Sequence, residues 1–277
     1  MNVDTSAATS LVEITVTDGV ADVRLNRPQK MNALSPAMFD AILAAGERLA
    51  NEADLRAVVL SGNGQAFCAG LDLESMAALS KLGGGTPITE RTHGLSNFAQ
   101  QICMLWRELP VPVIAAVHGV AFGGGLQLAL GADLRYVAPD ARLSVMEMKW
   151  GIVPDMGGMV LTRGLVRDDR LRELIYSARI VPASEAVELG LATRVTDDPH
   201  AQALATAREI AQRSPDAIRA AKRLMQVASQ GDAAAILLAE SVEQKALIGG
   251  ANQREAVAAN LEKRAPRFVP ASQPPKY

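Results

Sequence analysis

The sequence predicts an α/β fold. Three observations carry this. Short apolar runs of strand length alternate with helical stretches that keep one apolar face. Glycine and proline punctuate the joints between them. The run Val113 to Val117 is apolar at every position, as suits a strand buried on both faces. Residues 1–10 are small and polar and read as a flexible leader. Val12, Ile14 and Val16 alternate with polar neighbours, and Ala21, Val23 and Leu25 do so after Asp18-Gly19. That pattern predicts two half-buried strands joined by a tight turn. Asn26 to Asn32 is a loop. Ser35 is a helix N-cap and Pro36 a first helical residue, after which Met38, Ile42, Ala45 and Leu49 share a face. Leu55 to Leu60 is the next strand.

Residues 74–97 are irregular, because Gly83 to Gly85 and Pro87 cannot sit inside a good helix. The segment reads either as a mobile flap or as a plain surface loop. Leu95 to Leu109 is a helix ended by Pro110. The strand Val113 to Val117 leads through Gly119 and Gly123 to Gly125 into a helix over Leu126 to Ala132. Leu134 to Val137 and Leu143 to Met146 are short strands. Helices start in Gly157 to Leu165, Arg170 to Ser177 and Ser184 to Leu189, the last stopped by Gly190. From His200 to Leu261 the pattern is mostly helical, and the tail from Ala265 holds four prolines and is extended. The division is a leader over 1–10, a core over 11–198, a helical region over 199–264 and a tail over 265–277.

Composition narrows the function classes. The chain has 277 residues, 49% hydrophobic and 21% charged, and a net charge of −2. It can bury a sizeable core, and nothing in its charge calls for nucleic acid. Cys68 and Cys103 give neither a disulfide framework nor a zinc spacing, in keeping with a reducing, cytoplasmic setting and no metal. The N-terminus lacks a secretory pattern. No apolar run reaches the ~18 residues of a membrane span.

Two stretches carry chemistry. Residues 111–133, VPVIAAVHGVAFGGGLQLALGAD, read as strand, glycine turn and helix start. Glycine amides there either face an anion or a developing oxyanion, or simply permit close packing. Residues 61–73, SGNGQAFCAGLDL, follow a second buried strand. With LNRPQKMNALS at 25–35 and LSVMEMKWGIVPDMGG at 143–158, four motifs stand in order. In these the chain resembles the crotonase superfamily, the enoyl-CoA hydratase/isomerase family, from around Val20 to the C-terminus. The resemblance implies a crotonase-like spiral of ββα units with a helical C-terminal trimerisation region, and a homotrimer or a hexamer of stacked trimers. It implies an acyl-CoA thioester substrate and no cofactor beyond the coenzyme A that the substrate carries. Matched by motif, the oxyanion hole falls at the amides of Ala69 and Gly124. The CoA-binding positions are Arg27, Lys30, Met31, Ala69, Gly70, Leu71 and Asp72, with surface solvation the ordinary alternative for Arg27 and Lys30.

The acids decide the reaction. Hydratases of the family activate a water with two glutamates. The first position is Gln127 here, and an amide cannot take up a proton near neutral pH. The second matches Glu147. Asp155 matches a position where some double-bond isomerases of the family place an aspartate. Isomerisation needs one base, so the resemblance favours an isomerase, with enoyl-CoA hydration or a non-catalytic acyl-CoA binder as alternatives. Outside the motif, Glu147 reads as an ion-pair partner of Lys149 or a nearby arginine, and Asp155 equally as a helix N-cap. Lys149 and Trp150 either shape the acyl pocket or pack outside it.

Overall fold

The computed structural model describes residues 10–72, 74 and 85–275. The leader expected over 1–10 and the flap expected over 74–97 therefore fall largely or partly outside the described residues. Strands β1 (Val12–Thr17) and β2 (Val20–Leu25) form an antiparallel hairpin. Its turn residues Asp18 and Gly19 both have positive φ, 50° and 77°, the geometry that matches the twist of a two-residue hairpin. Helix α1 (Pro36–Ala50) is capped as expected, with the Ser35 side chain accepting from the Met38 amide. Strand β3 (Ala57–Gly62) follows. Helix α2 (Phe98–Glu108) begins three residues after the expected Leu95, because Asn97 and Gln100 form a reciprocal capping box there.

Strand β4 (Val113–Val117) and strand β5 (Val120–Phe122) flank the His118-Gly119 break and enter different sheets. Helix α3 (Gly124–Leu130) leads to β6 (Leu134–Val137) and β7 (Arg142–Ser144). A 3₁₀ turn over Glu147–Trp150 precedes α4 (Gly158–Leu161), α5 (Asp168–Ser177), β8 (Val181–Pro182), α6 (Ala183–Glu188) and β9 (Arg194–Val195). Helices α7 (Pro199–Ala211), α8 (Pro215–Ala228), α9 (Ala233–Leu247) and α10 (Ala251–Leu261) complete the chain before an extended tail.

The larger sheet has six strands in the order β1-β2-β3-β4-β6-β9, parallel from β2 onward. The smaller has the order β5-β7-β8. Successive residues of β3 serve two cores, which explains its unbroken apolar run. Val58 and Leu60 face the main core shared with α1, α2 and α3, whereas Ala57 and Val59 face α7, where Ala203 and Ala207 pack against Ile114 and Tyr136. Lys222 of α8 fastens the helical region to this frame. Its ammonium is buried and donates to the Trp106 and Val111 carbonyls and to Asp133 at 2.8 Å. Among the described residues no helix is long and apolar enough to cross a membrane.

Candidate active site

Three loops meet at the C-terminal ends of β2, β3 and β4. The first follows β2. Met31 and Asn32 take positive φ, 48° and 55°, which turns the fully buried Asn32 side chain inward. Its amide accepts from the Arg27 N–H at 2.8 Å and donates to the carbonyls of Asn63 and Ala66. Asn32 thus pins this loop to the one after β3. The motif contained it, but sequence reasoning gave it no role; the only cue was a polar residue between apolar neighbours. Arg27 makes a second tie, donating to Asp72 at 2.5 Å and to the Ala33 carbonyl. The guanidinium holds the Asp72 carboxyl below the usual carboxylate range. Arg27 is engaged with its own chain and does not line the cavity. The other expected CoA contacts, Lys30, Met31, Ala69, Gly70, Leu71 and Asp72, all do.

The cavity measures about 1150 Å³. On one side stand backbone amides. The Ala69 N–H donates to the Met31 carbonyl at 2.9 Å, so it is not free for a substrate oxygen, contrary to the expectation placed on it. Leu71 pairs with Leu34 in an isolated bridge: the Gly70 carbonyl accepts from Leu34 N, and Asp72 N donates to Leu34 O. In a trans peptide the N–H and the C=O point to opposite sides, and the Gly70 carbonyl of the Gly70–Leu71 peptide faces Leu34. The Leu71 N–H therefore points away from Leu34, and it has no acceptor among the described residues. Sequence reasoning missed the open Leu71 amide because the motif does not reveal which amide the bridge consumes. The Gly124 N–H, at the first turn of α3, also has no acceptor among them. Two glycines make this approach feasible. Gly70 (φ +89°) leaves no room for a Cβ, which would lie 2.4 Å from the Phe122 carbonyl, and Gly123 adopts φ 51°, ψ −120°.

The acids line the same cavity, with Glu147 close against Gly123. Glu147 opens the 3₁₀ turn and is 6% exposed. Its Oε1 accepts from Gln127 Nε2 at 2.6 Å, while Oε2 is buried with no partner. Burial raises its pKa and the nearby Asp155 charge adds to that, against the pull of the Gln127 hydrogen bond. The expected alternative, an ion pair of Glu147 with Lys149 or a nearby arginine, is not formed among the described residues. Asp155 lines the cavity and is accessible from it, yet enough protein surrounds it that desolvation raises its pKa too. It makes no side-chain cap: the N-cap of α4 is Gly157, with no side-chain hydrogen bond there. Gln127 is buried, and both of its amide atoms are engaged. Its Oε1 accepts from the Met156 and Gly158 amides, both at 2.9 Å, which fixes Nε2 toward Glu147. The amide thus joins Glu147 to the loop that carries Asp155. Burial lifts the Cys68 thiol to about 12, and it donates to the Asn32 carbonyl, a packing role. No group of His, Cys, Asp and Glu that could hold a metal occurs among the described residues.

The family model for enoyl-CoA hydratase/isomerase matches residues 15–270. The chain belongs to the enoyl-CoA hydratase/isomerase family. Among its relatives is a probable enoyl-CoA hydratase of Mycobacterium bovis, echA8, 33% identical over 255 residues that cover 90% of this chain and 94% of the relative. Another is the human mitochondrial Delta(3,5)-Delta(2,4)-dienoyl-CoA isomerase, 36% identical over 210 residues, 73% of this chain and 64% of that protein. The solved enoyl-CoA hydratase of Bacillus anthracis superposes with a TM-score of 0.85 at 31% identity, covering 93% of this chain and 98% of that one. The crotonase-like α/β fold read from the motifs is the fold of this family. Relatives of similar identity thus carry hydratase and isomerase names, and the side chains of the site must distinguish the two reactions.

Proposed function

We propose that this family member isomerises a double bond in an acyl-CoA thioester. The observation that carries the reading is the Gln127 amide, whose Oε1 is filled by two backbone N–H groups and whose Nε2 holds Glu147, leaving Glu147 as a buried carboxylate with one free oxygen. A 3-enoyl-CoA enters with its thioester oxygen at the Leu71 and Gly124 amides. Glu147 takes a proton from C2, and the negative charge spreads over C2, C4 and the thioester oxygen. Two amide donors stabilise that oxygen, each worth about 3 kcal/mol by analogy with better-measured oxyanion holes. A proton returned to C4 by Glu147 or Asp155 yields the 2-enoyl-CoA. Both carboxyls have raised pKa values, as proton-transfer groups working near neutral pH require. The carboxylates supply the proton transfer, and coenzyme A arrives as part of the substrate.

A second reading, hydration of a 2-enoyl-CoA, has one observation in its favour. The free Glu147 oxygen could also hold a water. However, Gln127 Oε1 already accepts two hydrogen bonds and cannot take a third proton donor. Purified protein assayed on a 3-enoyl-CoA and on crotonyl-CoA, with Glu147→Gln and Asp155→Asn alongside, tests the choice. Isomerisation abolished by Glu147→Gln is the expected result. Equal rates in wild type and Glu147→Gln would overturn Glu147 as the base.

A homotrimer or a hexamer of trimers belongs to the same proposal. Leu237 and Leu238 of α9, Ile248 after it and Leu261 of α10 are exposed apolar residues that an assembly would cover.

A further inference from the structure

Trp150, Ile152 and Val153 stand exposed by 43%, 38% and 60%, although all are large and apolar. All three line the cavity. Their position relative to the acids follows from the backbone. In a 3₁₀ helix, residues three apart stack above one another. Glu147 and Trp150 are the first and last residues of such a turn, so they share one edge of it. Gly151, at φ 70°, ends the turn and sends Ile152 and Val153 along the wall toward Asp155. The exposed apolar stretch is therefore bracketed by the two carboxylates. Lys149 is outside the cavity lining, and its ammonium lies 5.6 Å from the Trp150 ring centroid, which braces the ring by a cation–π contact. Apolar surface held open beside acid groups gains stability only when something apolar covers it.

We propose that Trp150, with Ile152 and Val153, is the specificity-determining wall for an uncharged hydrophobic acyl tail that extends beyond the reacting carbons. This rests on the reading that the site takes acyl-CoA thioesters. In a four-carbon substrate every acyl carbon lies at or next to the reacting positions, so the wall stays wet. In a longer one the added methylenes reach it. Each methylene moved from water to apolar surface contributes up to about a fourfold gain in affinity. A charged terminus would have to lose its hydration beside two carboxyls and would forfeit the gain.

The test is binding, not turnover. Saturated acyl-CoA thioesters of four, eight and twelve carbons, and the eight-carbon chain with a terminal carboxylate, are titrated calorimetrically into wild type, Trp150→Ala and Trp150→Phe. Wild-type affinity is expected to rise about two- to fourfold per methylene from four to eight carbons. Trp150→Ala is expected to lose at least about tenfold for the eight-carbon chain and under about threefold for the four-carbon one, with Trp150→Phe close to wild type. The ring is half-open, so its truncation leaves the core intact, and circular dichroism checks this. Affinity independent of chain length, an unchanged slope in Trp150→Ala, or equal binding of the terminal carboxylate would overturn the proposal while leaving the acyl-CoA reading in place. Failure of every thioester to bind would overturn both.

Discussion

At the scale of single residues, Gln127 and Glu147 carry the account. Gln127→Leu would strip an acceptor from the Met156 and Gly158 amides and a donor from Glu147. Buried groups left unpaired make a loss of about 2–4 kcal/mol the expected result of denaturant melts. Turnover should fall with it, because Glu147 loses its anchor. Glu147→Gln should do the opposite to stability. The raised pKa means that the folded protein holds the Glu147 proton more tightly than the unfolded chain. Stability contributed by this group is thus greatest below the ordinary glutamate value and is lost as pH rises through the raised folded value. The glutamine variant should therefore melt above wild type at neutral pH, with the advantage vanishing in acid, while activity is lost. The same shift sets kinetics: kcat/KM of wild type should fall with decreasing pH through a group titrating above the usual glutamate range. A titration at or below that range would show that Glu147 is not the base.

At the scale of elements, the site is a junction of loops that buried polar groups hold in register. Asn32→Ala removes two donated hydrogen bonds and one accepted one, all of them tying the loop after β2 to itself and to the loop after β3. The expected cost is about 2–4 kcal/mol in thermal or denaturant unfolding, with faster amide exchange in residues 62–70. Much of this level was legible beforehand. The hairpin, the Ser35 cap and the buried strand before the glycines follow from local chemistry. What was not legible depends on pairing across the chain. The start of α2 was hidden by a capping box that competes with the apolar Leu95. The choice between the Ala69 and Leu71 amides turns on which one the Met31 carbonyl occupies, and no residue type encodes that for a backbone donor. Glu147, Asp155 and Gln127, in contrast, are side chains at fixed motif positions, and the cavity gathers all three.

At the scale of the whole molecule, the chain passes from one sheet to the other at His118-Gly119, so the β4 and β5 ends bring the glycine turn beside the loops after β2 and β3. The helical region then supports the frame through α7 and Lys222 while leaving Leu238, Ile248 and Leu261 exposed. Sedimentation velocity is expected to show an assembly of trimeric or hexameric mass, and a monomer at micromolar concentration would contradict that. The central claim is that a locked amide at position 127 leaves this site with a proton-moving carboxylate and no second water activator. The ratio of wild-type kcat/KM on a 3-enoyl-CoA, read as isomerisation, to that on crotonyl-CoA, read as hydration, tests it most directly. The account predicts a ratio well above one; rapid hydration of crotonyl-CoA with little isomerisation would contradict it.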